Sequence, residues 1–170
     1  RDLNEVPGLR RLRYFTSHPR DFTQSMVDAV RDCDKVCEHF HLPLQSGSNR
    51  VLKNMNRGYT GEEYLELLSY IRQAVPVSGV TTDIIVGFPG ETEEEFQETL
   101  DIVRKARFDG AFTFIFSPRR GTAAAKMKGQ VPQAEKSRRI QALVEVQSEI
   151  TRELNQSLVD QDLEILVETQ

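Results

Sequence analysis

Hydrophobic positions along this chain switch period repeatedly, from runs and alternation to three-and-four spacing. The sharpest switch lies at residues 80–92. Residues 80–88, VTTDIIVGF, form a largely β-branched run of the kind found in a strand buried on both faces of a parallel sheet. Gly87, Pro89 and Gly90 break it. Thr92 with Glu95 then has capping-box spacing, ahead of Phe96, Leu100 and Val103 at helical intervals. The pattern predicts a βα unit whose Gly-rich turn sits at the carboxyl end of the strand, where α/β folds bind ligands.

The same switch recurs along the chain. Residues 2–9 read as a helix end closing at Pro7-Gly8, and 12–17 as a short strand. Thr23 is placed to cap a helix carrying Met26, Val27 and Val30, with Phe22 stapling onto Val27. A strand at 36–42 opens into the loop 43–48, and Ser48 is placed to cap a short helix with Val51, Leu52 and Met55. Thr60 and Glu63 repeat the capping box before Tyr64, Leu67, Leu68, Ile71 and Val75. Residues 111–116 are an aromatic-rich strand. From Pro132, as a first helical residue, a long helix runs to about 157 with the stripe Ile140, Leu143, Val144, Gln147, Ile150, Leu154 and Leu158. Leu163, Ile165 and Val167 alternate as the start of a further strand. Four successive strand–helix units predict an α/β fold with a parallel sheet. A curved half of a β/α barrel with a long C-terminal helix is favoured over a flat, doubly wound sheet, although periodicity alone does not separate them. The expected division is 1–157, with a separate element beginning over 158–170.

Composition narrows this only a little. A chain of 170 residues suffices for one domain burying roughly 70% of its unfolded surface. The formal charge of −4 neither points to nor excludes nucleic acid, because local basic clusters govern that contact. No apolar run approaches the roughly 20 residues of a membrane span, and two cysteines make no secreted disulfide framework. The expected setting is cytoplasmic, without membrane. The chain opens at Arg1 rather than Met and stops inside a strand-like run, as a piece of a longer protein would.

Three constellations carry candidate chemistry besides Asp83, the polar residue inside the central strand. Asp83 shares a face with Ile85 and Gly87, and either a salt-bridged core carboxylate or a ligand-facing one fits that position. Cys33, Cys37, His39 and His41 look superficially like metal ligands. Side chains in line along one strand rarely converge on a tetrahedral point, however, so buried thiols with hydrogen-bonded imidazoles are the preferred reading and no metal is expected. The loop His41-Leu42-Pro43-Leu44-Gln45-Ser46-Gly47-Ser48 presents an imidazole, an amide and hydroxyls, donors and acceptors suited to a ribose or an amino-acid group. Finally, Arg57, Arg119 and Arg120 lie in loops at element ends; if they share a mouth they suit phosphate or carboxylate recognition, and otherwise they are a solvated face.

RYFTSHPRDF, HLPLQSGSNRVLKNMNRGYT, TDIIVGFPGETEEEF and FSPRRGTAAAKM, in this order and spacing, resemble the radical S-adenosylmethionine methylthiotransferases over nearly the whole chain. RYFTSHP and HLPLQSGS tilt the resemblance toward members that act on N6-isopentenyladenosine at tRNA position 37, with threonylcarbamoyladenosine enzymes as the alternative. The resemblance implies the later half of a radical SAM partial barrel, followed from Leu158 by the first strand of an RNA-binding TRAM domain. It implies S-adenosylmethionine and tRNA as partners, two four-iron clusters in a monomeric parent enzyme, and a 5′-deoxyadenosyl radical that opens C2 of the adenosine to a methylthio group.

Residue by residue, the resemblance puts the adenine of the cofactor on Asp83-x-Ile85-x-Gly87. It puts the ribose or methionine end near Gln45 and Ser46; with tRNA as the implied partner, Arg57, Arg119 and Arg120 become the candidate RNA-binding residues. Against the superfamily pattern G-x-I-x-G-x-x-E, Asp83 replaces the first Gly, and Glu91 lies one position late, so no role is assigned to it. The Cys-x-x-x-Cys-x-x-Cys loop is not in the chain; Cys33-x-x-x-Cys37 is followed by Phe40 where a third ligand would stand. The cluster ligands are therefore expected elsewhere in the parent protein, and this piece alone is expected to be inactive. Two other classes stay in view. A flavin- or nucleotide-dependent α/β enzyme would need a G-x-G-x-x-G or P-loop, which the chain lacks, whereas a non-catalytic RNA-binding module would need no cluster loop.

Overall fold

A computed structural model of the chain describes residues 1–163 and 167. Three parallel strands form one sheet in the order β1 (His39–His41), β2 (Gly79–Val86), β3 (Gly110–Ile115). Helix α1 (Gln24–Asp32) precedes β1, and α2 (Asn49–Asn54) and α3 (Gly61–Ala74) carry the chain to β2. Helix α4 (Glu93–Ala106) connects β2 to β3, and α5 (Ala123–Lys126) and the long α6 (Gln133–Gln156) follow. Among the described residues no helix is long and apolar enough to cross a membrane.

Both capping boxes form as their spacing predicts. Thr60 accepts from the Glu63 N–H at 3.2 Å while Glu63 accepts from the Thr60 N–H at 2.8 Å; Thr92 and Glu95 repeat this at 3.3 and 2.8 Å. Thr23, Ser48 and Pro132 occupy N-cap positions but make no side-chain cap bond, and Pro132 therefore precedes the first turn of α6 rather than opening it.

The sheet is covered on one side only. Val80, Thr82, Ile84 and Val86 of β2 are wholly buried against a core that includes Leu68, Ile71, Phe96, Val103 and Leu143. The intervening Thr81, Asp83 and Ile85 are only half-buried. Register carries the open face onto β3, where Asp83 stands beside Phe112 and Ile85 beside Phe114. Those two rings are 61% and 49% exposed. The central strand is thus not buried on both faces, as its composition suggested. Its period-2 burial marks a sheet with helices on one side and an open, polar-and-aromatic face on the other.

The expected first strand, 12–17, is not a regular one. It runs parallel to the segment leading into β1 and touches it at both ends, through the Leu12–Val36 bridge and the Ser17 N–H to His41 carbonyl bond of 3.3 Å. The expected strand at 36–42 shortens to β1. A segment with a ladder on one side only has few bonds to flatten it, and Tyr14, turned inward against Phe22 and Phe40, supplies its main anchor. Residues 2–9 hold a 3-10 turn, Asp2–Glu5, in place of a helix end. On α6, Leu143, Gln147 and Ile150 are buried as expected, whereas Val144 is 44% exposed and Lys136 and Arg139 are buried instead. After α6 the chain turns; Leu163 and Val167 are exposed, and the rest of the strand expected there, including Ile165, lies outside the described residues.

Candidate functional site at the carboxyl ends of the strands

A cleft of about 480 Å³ opens on the uncovered face, lined by Gln45, Asp83, Ile85, Phe114, Phe116 and Arg119 among others. Its polar floor comes from β2 and from the chain just beyond β1. Gln45 extends the ladder, with its N–H donating to the Asp83 carbonyl at 2.8 Å and its carbonyl accepting from the Ile85 N–H at 2.9 Å. It does so at φ 70°, the left-handed region that a residue with a Cβ adopts at a cost. The residue is 7% exposed and its amide Oε1 is buried without a hydrogen-bond partner. A buried acceptor left without a partner is rare, and this one belongs to a residue that lines the cleft.

Hydroxyls hold the backbone behind Gln45. The Tyr59 phenol shares its one hydrogen between the carbonyls of Pro43 and Leu44, each at 2.9 Å, and the Tyr64 phenol donates to the Leu42 carbonyl at 2.7 Å. Burial pushes the Tyr59 phenol up to about 12, so it remains a donor at any working pH. Thr82 stitches β2 to the same loop, donating to the Leu42 carbonyl and accepting from the Leu44 N–H, both at 2.9 Å. Ser46 points the other way. It is fully buried, 3.4 Å from the Thr99 hydroxyl of α4, and accepts from the Ser48 N–H at 3.2 Å. Ser48 donates to Glu95. The loop's two serines therefore anchor helices while Gln45 faces the cleft.

Gly87 begins the Gly-rich turn at φ 75°, and a Cβ there would stand 2.5 Å from Cγ of Lys136. The space a side chain would fill belongs to α6, not to the cleft. The Gly87 N–H donates to Glu91 Oε2 at 2.7 Å, and Arg139 of α6 pairs with the same oxygen at 2.8 Å; the two side chains are 1% and 5% exposed. Lys136 donates to the Phe116 carbonyl at 3.0 Å. Glu91, Lys136 and Arg139 thus bolt the turn and the end of β3 to the long helix. Sequence reasoning gave Glu91 no part and did not single out Arg139. Only the run Glu91-Thr92-Glu93 facing a Lys/Arg pair at i, i+3 would have hinted at the bolt.

The three arginines proposed to share the mouth are not brought together. Arg119 lines the cleft, whereas Arg120 is exposed on the same loop and does not. Arg57 is half-buried near His18 and Tyr59, with its Nε enclosed and unpartnered. Burial, with the charges of Arg20 and Arg57, lowers the His18 pKa.

Cys33 is buried and Cys37 half-buried, both as free thiols. His39 and His41 share the hydroxyl of Thr81, at 3.1 and 3.0 Å, and His41 Nε2 lies 3.4 Å from Asp83 Oδ1. Among the described residues no group of three His, Cys, Asp or Glu side chains is arranged to hold a metal ion.

The family model described as the Radical SAM superfamily matches residues 2–103. The chain belongs to that superfamily. Over 168 residues, 99% of its length, this radical SAM chain is 54% identical to a protein named tRNA-2-methylthio-N(6)-dimethylallyladenosine synthase from Alkaliphilus oremlandii, of which it covers 36%. A protein of the same name from Moorella thermoacetica is 56% identical over 98% of the chain, which covers 37% of it. The chain therefore spans about a third of the length of the curated relatives it matches. Among solved structures, coproporphyrinogen III oxidase (HemN) from Escherichia coli, described as a radical SAM enzyme, superposes with a TM-score of 0.64 over 78% of this chain and 31% of its own, at 23% identity. At that identity the likeness is one of fold, and it joins the parallel sheet and one-sided helix layer to the radical SAM partial barrel.

Proposed function

We propose that this chain is the later part of the radical SAM barrel of a tRNA methylthiotransferase that adds a methylthio group to C2 of N6-dimethylallyladenosine (isopentenyladenosine) at position 37. The observation that carries the proposal is the 53–56% identity to synthases bearing that name, sustained over 98–99% of the chain rather than confined to one motif. The enzyme is read as cytoplasmic and monomeric, with residues from 158 onward leading into a TRAM-like RNA-binding domain.

The cleft suits S-adenosylmethionine. It combines a carboxylate, an amide and apolar walls, which match the hydroxyls of a ribose, a polar amino-acid group and a purine in turn. Gln45 and Asp83 hold the polar groups, and Ile85 with Phe114 and Phe116 flanks the base. Ser46 and Gly87, turned toward the helices, support these residues from behind. When bound, S-adenosylmethionine supplies the radical chemistry of the superfamily; the chain's own part is to bind, orient and shield. The iron–sulfur clusters of such an enzyme are read as held by other parts of the protein, since the chain carries no Cys-x-x-x-Cys-x-x-Cys loop. Arg119, exposed at the cleft mouth, is the residue placed to meet an RNA phosphate.

The test uses the full-length protein, reconstituted and reduced without oxygen, with S-adenosylmethionine and tRNA bearing either dimethylallyladenosine or threonylcarbamoyladenosine. Mass spectrometry of the digested nucleosides should show 2-methylthio product from the first tRNA alone. Product only from the second moves the enzyme to the other substrate class, and product from neither defeats the reading. Asp83→Ala should weaken S-adenosylmethionine binding about 10- to 100-fold, the loss of a hydrogen bond to a charged group, while leaving the melting temperature nearly unchanged. A variant that melts far lower yet binds normally would make Asp83 a structural charge.

A further inference from the structure

Four polar side chains cross the open face of the sheet in one continuous line. His39 Nε2 is 3.1 Å from the Thr81 hydroxyl, that hydroxyl is 3.0 Å from His41 Nδ1, and His41 Nε2 is 3.4 Å from Asp83 Oδ1. Phe112 of β3 packs edge-on against the His41 ring at 5.9 Å, so the imidazole is held from β2 and β3 together. Strand parity produces the line: His39 and His41 alternate on β1, Thr81 and Asp83 on β2, and the register sets His41 beside Thr81.

Counting protons gives the line a direction. A hydroxyl has one hydrogen to donate. If Thr81 donates to His39, a neutral His41 must place its proton on Nδ1, which leaves a bare Nε2 lone pair facing a carboxylate. That arrangement is repulsive. With Thr81 donating to His41 Nδ1 and accepting from His39 Nε2–H, the Thr81 hydroxyl is used in both directions and His41 carries its proton on Nε2, facing Asp83. Burial, aided by the nearby charge of Arg13, lowers the His39 pKa and keeps that ring neutral, as this direction requires. The 3.4 Å separation is long for an N–H donor; such contacts shorten when a ligand loads the acceptor.

We propose that His41, held in its Nε2–H tautomer by Thr81, is a positioning residue for Asp83: it occupies one carboxylate oxygen and so presents the other to the cleft, where a ribose diol is received. The inference rests on the cofactor reading above and adds to it the device that aims the carboxylate. It separates two roles along one strand face, with Asp83 touching the ligand and Thr81 and His41 acting through it.

The full-length protein, labelled with ¹⁵N-histidine, reports the tautomer directly in a two-bond proton–nitrogen correlation spectrum, with no turnover needed. His41 should show a protonated Nε2 and a bare Nδ1 near neutral pH; Thr81→Val should mix the tautomers, and Thr81→Ser should restore the pattern. In calorimetric titrations with S-adenosylmethionine, Thr81→Val and His41→Leu should weaken binding about tenfold, whereas Thr81→Ser and His41→Gln, which keep a hydroxyl and an N–H donor, should stay within about threefold of wild type. A wild-type His41 protonated on Nδ1 alone, or wild-type affinity in both Thr81→Val and His41→Leu, overturns the proposal. A wild-type protein that binds no S-adenosylmethionine would instead sink the cofactor reading, while the nitrogen shifts still decide whether Thr81 sets the His41 proton.

Discussion

Glu91 and Arg139 are 48 residues apart in the chain and form its most enclosed ion pair among the described residues. Removing one member leaves the other charged and buried, so Arg139→Met should cost about 3–5 kcal/mol in urea unfolding. Gly47 is a second point with no slack. A Cβ there would lie 2.5 Å from the Thr99 Cα of α4, a backbone atom that cannot swing away. Gly47→Ala should therefore destabilise by roughly 1–3 kcal/mol, the usual cost of overpacking, read from the same denaturation midpoints. The residues of the cleft were legible because parity is local: Asp83, Ile85 and Gln45 follow from where a strand begins and ends. The ion pair was not, since its partners meet only after the chain has folded back. A buried Arg on a polar stripe looks, in sequence, like a surface charge.

Helix α4 shows how a short motif can serve more than its own element. Glu95 accepts from the Thr92 N–H as a cap, pairs with Arg50 of α2 at 2.5 Å and accepts from Ser48, so one carboxylate ties the N-termini of two helices together. The Arg50 guanidinium, chief among these partners, holds the Glu95 carboxyl below its ordinary value of 4.5. A depressed carboxyl stabilises the fold in its ionised form; that contribution is complete above about 4.5 and fades as pH falls through the folded value. Urea midpoints measured from neutral pH downward should accordingly fall less steeply in Glu95→Gln than in wild type, with the two curves converging in acid. The capping boxes were visible in sequence because both partners lie three residues apart. The strand expected at 12–17 failed for the opposite reason: alternation settles which side chains face inward, but a ladder also needs neighbours, and here it finds them only at its ends.

The molecule divides by face more than by segment. Order and parallel sense of the strands were legible from the alternation of strands and capped helices, yet the one-sided cover was not, because β-branched residues fill both rows of β2. Hydrogen exchange should expose the difference in anchoring: amides in the middle of β2, bonded on both sides beneath α3, α4 and α6, should exchange orders of magnitude more slowly than those of 13–16. Comparable protection in the two would contradict the weakly held edge. The same division has a use in protein engineering. In β2 the even-numbered positions 80, 82, 84 and 86 hold the fold, and the odd-numbered 81, 83 and 85 lie on the open face, the last two in the cleft. A combinatorial library confined to the odd positions should return mostly folded members with altered ligand preference. One confined to the even positions should return mostly insoluble ones, since a change such as Ile84→Ala alone removes about 2–5 kcal/mol. Activity and foldability are thus written on alternate letters of one strand, and selection can act on either without rewriting the other.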